Sequence, residues 1–188
     1  MNWVVGNYDS PTNIVISRSS DGAIGSSFYA DHVAEHAEST QVTLLADAAG
    51  SFNSPNLATL FDTDILPNWP ECAGKTNDNL VFEDFSIASA NHNPNLTVSQ
   101  HNAAEDEVQK DFSYLLGDTP DSFSLPQCIF NHYAGIESAV KNFHSYTAGG
   151  NVHIIFIIPD YSSYEVEILG FAVWSSKLIT GEPVEDIN

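Results

Sequence analysis

Positive charge is what this chain has least of. Five Lys plus Arg stand against 25 Asp plus Glu in 188 residues, a formal net charge of −20. A field of that sign repels phosphate backbones and anionic lipid surfaces, so neither nucleic acid nor a membrane is an expected partner. Cysteine is nearly as sparse. Cys72 and Cys128 are the only two, without a C-x-x-C pair, and the seven histidines are not clustered. No metal site is therefore expected, and one disulfide or two buried thiols both remain open. Calcium has no D-x-D-x-D-G spacing to bind it. Long apolar runs are missing too: the longest clean one, 154–158, is strand-sized, far short of the about 18 to 20 residues that span a bilayer. The opening MNWVVGNYDSPT has neither a basic region nor a long apolar stretch and does not read as a signal peptide.

What is present suffices for one sizeable core. Hydrophobic residues make up 43% of the chain, with eleven Phe and three Trp among them, which predicts a single domain over 1–188. The acids are interleaved with aromatics rather than gathered into a disordered acidic tail. Asn95-Leu96-Thr97 matches a glycosylation acceptor, a pattern too short to fix a compartment.

Patterning predicts strands alternating with helices. Trp3, Val4 and Val5 read as the end of a helix, followed by a strand over 13–17, a helix over 22–38 and a strand over 42–46. A loop over 47–55 and irregular structure over 57–80 come next, then a short helix over 79–89 and a strand over 96–100. The clearest amphipathic helix spans 103–116, with Ala104, Val108, Phe112, Leu115 and Leu116 on its apolar side and Gly117 as its stop. A helix over 129–142, a strand over 143–147, a turn at Gly149-Gly150 and a last helix over 165–179 complete the chain. Such alternation argues for a mostly parallel sheet covered on both faces.

Chemistry is announced at Arg18-Ser19-Ser20-Asp21-Gly22, between the first strand and the first helix. A serine on a sharp strand-to-helix turn, with small residues two before and two after, is a nucleophile elbow. Gly22 fits that frame. Arg18 and Asp21 do not, although they could pair with each other. Three further frames come in order: Leu44-Leu45-Ala46-Asp47-Ala48, Asp106-Glu107-Val108-Gln109 and Gly150-Asn151-Val152-His153.

Taken together, these frames resemble those of the pectin acetylesterase and Notum family of α/β-hydrolases, almost end to end. The family frames are approximately G-x-S-A-G, L-x-D-A-G, D-E-x-Q and G-x-x-H. Trp174 and Gly181-Glu182-Pro183-Val184 are similar to the family's closing helix and tail. The resemblance implies a three-layer α/β-hydrolase-like fold that is N-terminally incomplete, because the loop giving the second oxyanion donor would lie upstream. It implies a catalytic triad of Ser20, His153 and Asp106, in the α/β-hydrolase order of nucleophile, acid and base. The backbone N–H of Asp21 would serve as one oxyanion donor, and Asp47 and Ser51 would bind substrate. The implied substrate is an acyl ester, acetyl foremost, on polysaccharide or protein, and the implied location is extracellular. A missing N-terminal half or an oligomer is the implied protein partner.

An unassisted serine hydroxyl is protonated at neutral pH and needs a bonded base to attack an ester. No cofactor is required. Read from the residues alone, Ser20 could equally be a helix N-cap, His153 a residue at the mouth of an apolar run, and Asp106 one more solvated acid beside Glu105 and Glu107. Asp47, at a strand end, is the rival acid. Asp21 is the sharpest physical obstacle, since its carboxylate beside an oxyanion donor opposes the charge that develops there. The elbow substitutions and the missing oxyanion loop predict an esterase of impaired activity; an inert fragment or binding module that keeps the fold is the alternative reading.

Overall fold

A computed structural model describes residues 6–8, 11–37, 40–51, 74–76, 79–121, 123–157, 165–166 and 169–188. Strands β1 (Asn13–Ser19), β2 (Gln41–Asp47), β3 (Leu96–Ala103) and β4 (Phe143–Ala148) lie side by side in chain order and all run parallel. Parallel neighbours need crossovers, and each crossover carries a helix. Helix α1 (Asp21–Glu35) links β1 to β2, and α2 (Phe82–His92) lies between β2 and β3. Helices α3 (Glu107–Leu115) and α4 (Leu125–Ala139) lie between β3 and β4. After β4 come a short antiparallel pair, β5 (Glu165–Val166) and β6 (Leu169–Gly170), and then α5 (Phe171–Thr180).

Alternation along the strands builds two cores. Val42, Leu44 and Ala46 of β2 face Ala23, Ala30 and Ala34 of α1 and Ile129, Tyr133 and Ile136 of α4. Small residues along α1 let α2 approach closely enough for the Ser89 hydroxyl to donate to the Ser27 carbonyl at 2.6 Å. Leu45 points the other way, into a second core with Tyr146, Ala148, Ile155, Phe171, Trp174 and Leu178. Helices therefore cover both faces of the sheet, an α/β arrangement compatible with three layers. The outer edge of β4 is covered by the chain's end, where Thr147 N–H donates to Ile187 and Ile187 N–H to Ser145. No strand pairs with the outer edge of β1 among the described residues.

The structure departs from the patterning in instructive places. The last helix starts at Phe171, not 165, because 165–166 and 169–170 pair as a hairpin before it. Residues 154–157 of the apolar run are turn and irregular chain, and Ile155 is buried within that loop. Helix α3 begins at Glu107 because Asp106 caps it. Its apolar side is buried only in part: Leu116 lies in a core cluster with Phe112 packed against it, while Val108 is 51% and Leu115 81% exposed and the polar Gln109 and Ser113 are buried. Gly117 ends it as expected, at φ 113°. The expectations for residues 1–5 and for 52–73, Cys72 included, lie outside the described residues. Among those described, no helix is long and apolar enough to cross a membrane.

Burial separates the helices' two sides energetically. Ile136→Ala on α4, at 0% exposure, is expected to cost about 2–5 kcal/mol in denaturant unfolding. Val173→Ala on the outer face of α5, at 50% exposure, is expected to stay within about 0.5 kcal/mol of the parent.

Candidate active site

The parallel strands β1 and β2 end in register, with Ser19 opposite Asp47, and Asp47 lies opposite His101, two residues before the end of β3. Functional groups of open parallel sheets collect outside such carboxyl ends. Ser20 comes directly after β1, with φ 56° and ψ −131°. A non-glycine residue there is strained by about 1–3 kcal/mol. The turn is held by Ser20 N–H donating to the Asp47 carbonyl at 2.8 Å and by Ala23 N–H donating to the Ser20 carbonyl at 2.8 Å. Ser20 occupies the N-cap position of α1, yet its hydroxyl caps nothing.

That hydroxyl lies 3.0 Å from His153 Nε2 instead. His153 Nδ1 lies 2.7 Å from Asp106 Oδ2. An ionised carboxylate can only accept, so Nδ1–H donates to Asp106 and Nε2 is left to accept from the serine. Asp106 is fully buried. Burial alone would raise its pKa, but bonds from His153 and Gln109 and the charge of His153 outweigh it and hold the carboxyl below its ordinary value. Its Oδ1 caps α3 through the N–H groups of Val108 and Gln109, and Gln109 Nε2 donates to Oδ2 at 3.0 Å. Two backbone bonds tie the loops after β3 and β4 together: Ala104 N–H to Ala148 and Glu105 N–H to Gly150, both at 2.8 Å. Gly150, at φ 86°, makes the turn that sends His153 back over Asp106.

The structure thus brings together Ser20, Asp106 and His153, which the sequence frames select from positions up to 133 residues apart. Asp21 opens α1, where a backbone N–H has no helical acceptor, and its exposed side chain borders the cleft. Arg18 and Asp21, for which a pair is one alternative, form no ion pair with each other; the exposed Arg18 side chain runs beside Gly22, where an added Cβ would meet Arg18 Cβ at 3.4 Å. Two expectations are corrected. Asp47 does not face substrate, being fully buried with both carboxylate oxygens engaged inside the protein. Ser51 is buried as well, accepting from Asn102 Nδ2 at 2.7 Å while its N–H donates to Gln109.

Beneath the site runs a polar network that the sequence frames do not reveal. Asn102 of β3 donates to Ser51 and to the Tyr133 hydroxyl, and accepts from Gln109. Burial pushes the Tyr133 phenol up, so it stays a neutral partner. The available signal is the polar run Ser99-Gln100-His101-Asn102, which extends β3 three residues past its expected end. Above the network a cleft of about 40 Å³ opens beside Ser20 and His153, walled by Ile24, Ala48, Gly50, Val108 and Phe112. Val108 and Phe112, from the apolar side expected for α3, form part of this wall. Among the described residues, no group of His, Cys, Asp and Glu is arranged to hold a metal ion.

No protein-family model matches the chain, and a search of curated proteins returned no match.

Strain at Ser20 gives a testable asymmetry. Ser20→Ala keeps the Cβ at φ 56°, whereas Ser20→Gly removes it. The glycine variant is expected to be the more stable of the two by about 1 kcal/mol in thermal unfolding, even after glycine's entropic cost.

Proposed function

We propose that this protein is a serine carboxylesterase of α/β-hydrolase type, similar to pectin acetylesterases and Notum, that cleaves acyl esters through an acyl-enzyme. The observation that carries the reading is the unbroken chain Ser20 Oγ, His153 Nε2, His153 Nδ1, Asp106, with separations of 3.0 and 2.7 Å. The positive φ of Ser20 supports it, since strain of this kind persists only where surrounding structure holds it. So does the N-cap serine that leaves its helix uncapped to reach a histidine.

In this reading Ser20 Oγ attacks the ester carbonyl carbon while His153 Nε2 takes its proton. Asp106 keeps the imidazole in the competent tautomer and stabilises the cation. The oxyanion of the tetrahedral intermediate points to the Asp21 N–H and to the positive end of α1. Collapse expels the alcohol, which takes the proton back from His153, and leaves an acyl group on Ser20. Water activated by the same histidine then releases the acid. The Asp21 carboxylate opposes the oxyanion and lowers the rate. At a net charge of −20, a neutral ester, acetylated polysaccharide included, suits the surface better than a polyanion does.

Incubation with a fluorophosphonate probe, with peptide mapping of the product, tests the reading. Labelling is expected at Ser20, lost in His153→Ala and reduced on the order of 10⁴-fold in Asp106→Asn. A folded chain that leaves Ser20 unlabelled would mark an inert module instead.

A further inference from the structure

We infer that Asp47 is a positioning residue that sets the nucleophile and the base in one register; this rests on the esterase reading above. Its main-chain carbonyl accepts the N–H of Ser20 at 2.8 Å. Its carboxylate Oδ2 accepts from Ile155 N–H at 2.9 Å, Phe156 N–H at 3.4 Å and the Ser19 hydroxyl at 3.1 Å. Oδ1 lies 2.8 Å from His101 Nδ1. One residue therefore grips the chain on either side of the gap that the reaction must bridge. Ser19 directly precedes the nucleophile, and Ile155 lies two residues beyond the base.

The chemistry of the site calls for an acid. Ile155 N–H, Phe156 N–H, the Ser19 hydroxyl and His101 converge on two oxygens, and a carboxylate offers only acceptors. A neutral amide has one acceptor oxygen and must turn two of its own donors toward some of these groups. Asp47 is also fully buried, so water cannot replace a lost bond. Neighbouring packing holds it in place: His101 lies against Phe171 and Tyr146, with ring centroids 4.8 and 5.8 Å away. Asp47 is absent from the cleft wall and acts through the residues it holds. Misplacement of a reacting group by about 1 Å costs on the order of a hundredfold in rate.

Asp47→Asn, which conserves shape, tests this with two readouts: the fluorophosphonate inactivation rate and the low-field NMR signal of the His153 Nδ1 proton. Leu178→Ala, in the same second core, controls for loss of stability. We expect the Asn variant to react on the order of 10- to 100-fold more slowly and to lose the His153 signal, while Leu178→Ala keeps the signal and stays within about twofold. An Asn variant that keeps the signal and reacts within about twofold of the parent would overturn the inference. If Asp47→Asn does not fold, Ile155→Pro removes one donor from the opposite side and is read against the same two limits. A parent protein that has the His153 signal but never labels would defeat the esterase reading alone. Loss of that signal in Asp47→Asn would still uphold the positioning role.

Discussion

The geometry at the site depends on one constraint: four strands run parallel, so all of them release the chain at the same end of the sheet. Ser19, Asp47 and His101 form a row across β1, β2 and β3; β1 and β2 end at that row, and β3 and β4 run two residues further, to Ala103 and Ala148. The first residues beyond one strand are then close to the first residues beyond its neighbours, however distant in sequence. Ser20 comes after β1, Asp106 after β3 and His153 after β4. Backbone bonds between the loops, Ala104 to Ala148 and Glu105 to Gly150, complete the approach.

The row carries an electrostatic cost. Asp47 and Asp106 are both fully buried, in a chain whose net charge is already −20. Burying a carboxylate is unfavourable unless donors surround it. Each acid meets that condition differently. Asp106 draws on the first turn of α3, on Gln109 and on His153. Asp47 draws on the His153 loop, on Ser19 and on His101. In both cases the donors come from segments that must be placed for the site to exist, so satisfying the acid and assembling the site are one event.

Much of this is legible in the sequence, for identifiable reasons. Alternating strand and helix patterns locate the four parallel strands to within a few residues. Ser20 and His153 stand out because their short frames follow strands, and Asp106 because its frame, read at the start of the helix predicted over 103–116, comes between them in the chain. Asp47 stands out at the end of a strand, but its task does not, because its partners His101 and Ile155 are 54 and 108 residues away and no local pattern records them. Helix α3 misleads for a different reason. Periodicity identifies an apolar stripe but not what it faces, and here Val108 and Phe112 border the cleft, while Gln109 and Ser113 are buried.

The central claim is that Ser20 becomes covalently acylated during turnover. The most direct measurement is mass spectrometry of the protein quenched in acid while it hydrolyses an aryl acetate, with the modified peptide sequenced. The account predicts one acetyl group, carried on Ser20 and absent from His153→Ala. Hydrolysis without any acylated Ser20, or an acetyl group carried equally by the His153→Ala protein, would contradict it.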